Sequence, residues 1–329
     1  MIFQKKPSQH LENLWKLLPK RKKEEREKDV LYSRFAIERP KETLQAIGKR
    51  YNITRERVRQ IQNQGLNGLK KIALKEKKLF QRITEKIKPI GKVISLKSAT
   101  LFLLGEDAEE KEKNSLHLLL VINPFLKYQR ETSFNYPFFT KNIEASKVKK
   151  DIIKLIKFFT NKKNALSIKE ACDIFNFSSE YLKELSIISK SLGLREGKIG
   201  LLKSPLINPK TAKQKIDFIF EKYHKPLHFS EIAKLIEKEK FPSKNPSIAA
   251  LHNELIKHSN DYALIGRGIY ALRKWGYLKG TVKKVIQQIL KNSKKPLTKE
   301  EVIKKVKEQR LVKINTILLN LSKFKNKIK

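Results

Sequence analysis

Arg55, Glu56, Arg59 and Gln60 stand together near the start of one stretch, TRERVRQIQNQGLNGLKKI, residues 54–72. Their shared chemistry is hydrogen bonding to base edges in a DNA groove, where a guanidinium suits guanine, a side-chain amide suits adenine and a carboxylate accepts from cytosine. Delivering those groups takes an element that turns them outward together. Thr54 is an N-cap residue, and Val58, Ile61, Leu69 and Ile72 fall on one stripe at 100° per residue, so the stretch predicts an amphipathic helix. Opposite that stripe lie Glu56, Gln60, Asn63 and Asn67, with Arg59 on the flank and Arg55 in the first turn. An ordinary helix with a charged solvent face carries the same pattern, so the spacing alone leaves both readings open.

A shorter helix is expected just ahead, capped by Thr43 and carrying Leu44, Ile47 and Tyr51 at spacings of three and four, after which Asn52 and Ile53 turn the chain. Helix, three-residue turn and helix is the helix-turn-helix arrangement, whose second helix enters the major groove by its N-terminal turns. Upstream, residues 9–37 read as one helix through Leu11, Leu14, Leu17 and Leu18, then Val30, Leu31, Tyr32 and Phe35. The charge block KRKKEEREKD forms a solvated face between them, and Pro40 ends the helix.

Residues 17–72 resemble region 4 of bacterial sigma-70-type factors, whose signature is an ETLxxIG helix followed by an NxTRERxRQI recognition helix. The resemblance implies base contacts from Arg55, Glu56 and Gln60 to the upstream promoter element called minus-35. It implies phosphate or flanking contacts from Thr43, Thr54, Arg57, Arg59 and Gln64. Two departures stand out: Gln64 and Gly65 replace the family's usual Lys-Ala pair, and KRKKEEREK lengthens the segment before Val30. A complete sigma factor also carries a region 2 ahead of region 4, and too few residues precede Thr43 to hold one, so a free-standing initiating sigma factor is not expected.

Composition points the same way. The chain has 74 Lys+Arg against 33 Asp+Glu in 329 residues, a net charge of +41. Such a surface gains by meeting a polyanion, because each cation laid on a phosphate releases condensed counterions; double-stranded DNA is the expected partner. Lys, Asn and Ile are favoured throughout, so the charge carries less weight than the motifs. Cys172 is the only cysteine, which excludes an internal disulfide and a cysteine-rich zinc site. No metal is expected at His224 and His228, because Pro226 between them would break the helix that aligns ligands four apart. No phosphate-binding loop, paired carboxylates or cofactor motif appears, so the chain reads as a binding protein and not an enzyme. The longest apolar run, Leu118 to Ile122 with Leu116 before it, is too short to span a membrane, and the N-terminus lacks a secretory signal; a cytoplasmic, nucleoid-associated protein is expected.

Downstream a theme repeats. Residues 165–170, 226–231 and 296–301 each place a Leu before a helix start with a Ser or Thr cap and a Glu in the first turn. Second helices follow at 181–192, 247–258 and 315–324, and the first two copies end in hairpin signals, REGKIGLL and YALIGRGIYALRKWG, which makes them winged helices. The third copy stops before a wing, as a wingless unit or a truncated chain. Residues 211–280 resemble the HARE helix-turn-helix domain, a winged helix also found in the delta subunit of some bacterial RNA polymerases. In it Tyr270, Leu272 and Trp275 pack inward, and Arg267, between Gly266 and Gly268, contacts a phosphate or the minor groove.

Residues 80–145 fit a degenerate winged helix. EDAEEKEK reads as a loop, LHLLLVI as a buried helix or strand, and FLKYQRETSFNYPFF as two strands. Phe134, Tyr136, Phe138 and Phe139 pack in a wing or stack single-stranded bases. The fold class is mainly α, with tandem helix-turn-helix and winged-helix domains bearing short β-hairpin wings. The units are 9–75 (sigma region 4-like), 76–145 (degenerate winged helix), 146–208 (winged helix), 209–280 (HARE-type) and 281–329 (C-terminal helix-turn-helix). The competing reading is an accessory protein docking on RNA polymerase core through Leu14, Leu17, Val30, Leu31 and Phe35.

Overall fold

A computed structural model describes residues 6–19, 24–162, 164–293 and 297–327, with side chains up to residue 324. Its elements are mainly helical, with three small antiparallel sheets among the described residues. The chain forms two units, residues 1–207 and 208–329.

The first unit opens with α1 (Pro7–Lys16), α2 (Glu24–Phe35), α3 (Leu44–Tyr51), α4 (Arg55–Lys75) and α5 (Lys77–Lys86). Where one helix was expected over 9–37 there are two. Leu17 caps α1, and Pro19 both lacks an N–H and pushes its predecessor out of the helical region. The expected insertion KRKKEEREK lies outside the described residues at 20–23. The second helix ends at Phe35, well before Pro40. Ala36 takes the left-handed conformation (φ 57°) and the Ile37 N–H bonds back to the Tyr32 carbonyl at 3.0 Å, a Schellman-type stop sealed by two buried side chains.

Next come β1 (Val93–Ser95), α6 (Leu96–Leu104), α7 (Glu110–Ile122), β2 (Lys127–Gln129) and β3 (Phe138–Thr140). They are followed by α8 (Ala145–Lys162), β4 (Leu166–Ser167), α9 (Ile168–Phe175), α10 (Ser179–Ile188), β5 (Leu192–Arg195) and β6 (Lys198–Leu201). The stretch LHLLLVI is thus helical, and α7 begins inside EDAEEKEK, where Glu110 and Glu112 suit the positive end of a helix. In both sheets the last strand lies between the other two, in the order β1-β3-β2 and β4-β6-β5.

One core takes side chains from Leu11 to Phe139, including Trp15, Leu31, Leu69, Phe80 and Leu116 to Ile122. A second joins Val93 and Phe138 to Val148, Ile152, Leu155, Leu182, Leu185 and Ile199. His117 sits in the first, edge-on to Phe35, Tyr128 and Phe139, and burial pushes its pKa down to about 4, so the ring is neutral.

Glu184 of α10 reaches the end of β1 and the start of α6. Its buried carboxylate accepts from the Ser95 N–H (2.6 Å) and the Ser98 hydroxyl (2.5 Å), so it caps α6 from another element, and burial pushes its pKa up despite those bonds. Glu184→Leu would leave a buried N–H unpaired and should cost about 1–3 kcal/mol. Glu184→Gln, which can still accept that bond, should cost less; the midpoints of urea unfolding of the two variants test the ordering.

The second unit holds α11 (Ala212–Tyr223), β7 (Leu227–His228), α12 (Phe229–Lys238), α13 (Ile248–Lys257), β8 (Tyr262–Gly266) and β9 (Ile269–Leu272). After them come α14 (Val282–Asn292), α15 (Lys299–Gln309) and α16 (Ile314–Leu321). The sheet order is again β7-β9-β8. The expected Ser or Thr caps are Ser167 for α9 and Thr298 for α15, each in a capping box, but α12 is capped by His228, whose ring nitrogen accepts from the Ser230 N–H. Ser230 is one residue inside the helix and cannot serve as its cap. Pro296 of the third copy lies outside the described residues. The second helices are also shorter than expected: Leu192 begins strand β5, and Phe324 has left the α-helical backbone.

Buried Lys215 donates to the carbonyls of Ser243 and Lys244 and to the Asn245 side chain, tying α11 to the loop that leads into α13. Val285, Ile286, Val302, Val306 and Ile317 unite α14, α15 and α16.

Candidate nucleic-acid interface

The pair α3 and α4 is built by its caps. Thr43 accepts from the Ala46 N–H at 3.1 Å and Thr54 from the Arg57 N–H at 3.2 Å, so each helix starts on a hydroxyl. Between them Asn52 closes α3 in the left-handed conformation (φ 50°), and the Ile53 N–H returns to the Gly48 carbonyl at 2.9 Å. A small core of Val30, Ile47, Val58 and Ile61, with Leu44, Tyr51 and Ile53 at its rim, holds α2, α3 and α4 together.

Polar bonds brace the same three helices. Asp29 accepts from Arg39 (2.8 Å), Arg50 (2.8 Å) and the Tyr51 hydroxyl (2.8 Å), and Arg26 lies over the Tyr51 ring at 4.5 Å. Burial opposes the Arg50 charge, but its bonds to Asp29 and the nearby Glu42 outweigh that and raise its pKa. The charge block expected to be merely solvated therefore supplies part of the scaffold. Asp29 gave no sign of this in sequence, because its partners lie 10 to 22 residues away.

On the outer side of α4 the structure brings Arg55, Glu56, Arg59, Gln60, Gln64 and Asn67 into solvent, with Arg57 and Asn63 half-buried. Thr43 and Thr54 are exposed at the two helix starts. The side chains are not idle. Arg59 grips Glu56 by two bonds, 2.6 and 2.8 Å, and Arg57 donates to the Gln60 carbonyl oxygen at 2.8 Å. The Arg59 bonds hold the Glu56 carboxyl below the usual range, and the same pair raises the Arg59 pKa. Being fully exposed, the pair exchanges easily with other partners. If Arg59 swings to a phosphate, Glu56 is freed to accept from a base; while Arg57 stays on the Gln60 side-chain oxygen, one lone pair of that oxygen is taken and a base must share it or displace Arg57.

Gly65, one of the two departures, has a physical role. A Cβ there would come within 3.0 Å of Leu31 Cδ1 and 3.4 Å of Glu27 Cβ, so its lack of a side chain lets α4 pack close on α2.

Not every expected surface is a surface. Leu14, Val30 and Leu31 are buried and Phe35 packs against the first core, so the docking face expected from them is absent; of that set Leu17 is exposed. Phe138 and Phe139 are fully buried and Phe134 is half-buried against the second core, which removes the base-stacking reading; Tyr136 remains in solvent beside the Lys190 ammonium at 5.1 Å.

The helices that follow α6 and α9, α7 and α10, are likewise enclosed. On α7 the run Leu118 to Ile122 is buried, and Glu112 accepts from Ser8 of α1 at 2.6 and 3.0 Å. On α10 only Glu180 and Lys183 reach solvent fully.

In the second unit α13 is more open, exposing Ile248, Ala249, Asn253 and Ile256. Arg267 is exposed at the tip between β8 and β9, where Gly268 has positive φ (70°) and a Cβ would strike His228. Tyr270 and Leu272 are buried, and Trp275 packs edge-on to Phe220 at 5.8 Å.

Residues 24–71 match the family Sigma-70, region 4, a helix-turn-helix DNA-binding region of transcription. The match spans α2, α3 and nearly all of α4. Comparisons with curated proteins and with solved structures return no match. Among the described residues no three His, Cys, Asp or Glu side chains are grouped to hold a metal, and no helix is long and apolar enough to cross a membrane.

Proposed function

We propose that this chain is a bacterial transcription protein that reads promoter-like duplex DNA through α4, with Arg55, Glu56 and Gln60 at base edges. Thr43, Thr54, Arg57, Arg59 and Gln64 serve the phosphates and flanks. The observation that carries the reading is the outward face of a doubly capped α3–α4 pair inside the region 4 match. The three strand–helix–helix–hairpin repeats are winged-helix units, the one in the second unit of HARE type, and Arg267 at its wing tip adds a backbone contact. The reading assigns no catalytic step and no cofactor, and places the protein in the cytoplasm on the nucleoid. Selection from a random duplex pool should enrich one motif; recovery of an unenriched pool would refute it.

A second reading, an accessory protein that modulates initiation on RNA polymerase core, is favoured by one observation: α13 exposes Ile248 (51%) and Ile256 (55%), a mainly apolar surface on which Lys257 is the exposed cation. Capture of core polymerase at a salt concentration that abolishes DNA binding, lost in Ile248→Asp with Ile256→Asp, would support it.

A further inference from the structure

The 18-residue helix α8 buries Val148, Ile152, Leu155 and Phe159. On the opposite side, at spacings of three, four and three, stand Lys147, Lys150, Lys154 and Lys157, all exposed. At 100° per residue this spacing keeps the four within one narrow stripe, and at 1.5 Å per residue it runs about 15 Å along the helix. None of the four forms an ion pair among the described residues. The acid within the helix, Asp151, is held by the Tyr181 hydroxyl at 2.7 Å, and Glu144 just before it accepts from Ser146. Lys154 lies over the rings of Phe175 (5.4 Å) and Phe177 (5.8 Å), which position its ammonium without neutralising it.

A row of like charges at this spacing repels itself in the free protein, and a matching row of anions relieves the repulsion. The enclosure of α10 adds to the argument, since this repeat has lost the usual route for a groove contact and retains a cationic face on its leading helix. We propose that α8 is a second DNA site, a sequence-independent track for the phosphodiester backbone of a duplex, formed by Lys147, Lys150, Lys154 and Lys157. A 15 Å track passes about four phosphates of one strand at about 3.4 Å each along the axis. The inference rests on the reading that the chain binds duplex DNA, and it concerns affinity where α4 concerns choice of sequence.

The test uses the full chain, a selected duplex and a scrambled one, titrated across salt. Replacing the four lysines by Gln should weaken both duplexes by the same factor, on the order of tenfold or more, and flatten the slope of log affinity against log salt by about 3–4. Replacing the same four by Arg, which keeps the charge, should leave binding near the parent level and excludes misfolding as the cause. The proposal is overturned if the Gln variant keeps the parent's affinity and slope, if it loses affinity for the selected duplex alone, or if the Arg variant fails equally. An Arg55→Ala, Gln60→Ala variant run alongside separates the two claims. Unchanged discrimination there defeats the α4 reading while a uniform loss in the Gln variant still supports α8.

Discussion

Arg55→Ala combined with Gln60→Ala should abolish most of the chain's preference for its own site while leaving weak binding to any duplex. Each bidentate base contact carries about 1–3 kcal/mol of discrimination, so losing two should reduce the ratio of specific to scrambled affinity by about 2–6 kcal/mol. The free-state geometry adds a finer expectation. Arg55 forms no hydrogen bond or ion pair among the described residues, only a longer-range attraction to Glu56, whereas the Gln60 side-chain oxygen accepts from Arg57 at 2.8 Å. Arg55→Ala alone should therefore cost more than Gln60→Ala alone, because part of the Gln60 contact is spent in breaking the Arg57 bond. Competition binding with single-base variants of the selected site measures both terms. Equal affinity of the parent for both duplexes, or unchanged discrimination in the double variant, would exclude base reading by α4.

The second large effect reverses an ordinary rule. Gly→Ala inside a helix usually stabilises by about 0.5–1 kcal/mol, because alanine has less backbone entropy to lose. Gly68 of α4 should follow the rule: a Cβ there meets Leu18 Cδ2 at 3.3 Å, the end of a side chain that can move. Gly48 of α3 should not. Its Cβ would stand 2.7 Å from the Ile53 carbonyl oxygen, a backbone atom fixed in the turn between the two helices. Gly48→Ala should destabilise the module by about 1–3 kcal/mol, as overpacking does, and weaken site-specific binding by displacing Thr54 and with it the start of α4. Urea unfolding and site affinity of the two alanine variants, measured side by side, give opposite signs if the turn sets the reading geometry. A stabilised Gly48→Ala variant would show that the turn yields.

The burial of α7 and α10 changes how the repeats contribute. Both spend their side chains on neighbours within the first unit: Glu112 on α1, Glu184 on the start of α6. In that unit the region 4 match remains the element with an open reading face. Backbone charge must then come from other helices, which is what the lysine stripe of α8 offers.

What is encoded over a few residues is legible in the sequence. The caps Thr43 and Thr54, the turn at Asn52 and Ile53, the 3.6-residue period of Val58, Ile61, Leu69 and Ile72, and the hairpins around Gly197 and Gly268 are all local. Each depends on side chains three or four positions away or on one backbone torsion. The break of the helix expected over 9–37 is hidden by apolar spacing that continues across Pro19, and the structural part of the charge block is hidden because Asp29 meets its partners through the fold.

What this chain's residues settled unaided is that a capped helix would carry Arg55, Glu56 and Gln60 on its polar side, since amphipathic period and capping act within one element. Which of the similar helices stay open was decided only by tertiary structure. Glu184 meets Ser95 across 89 positions of chain, and Leu31 fits where Gly65 leaves room. Burial on a second face comes from such distant partners, and no local period records them.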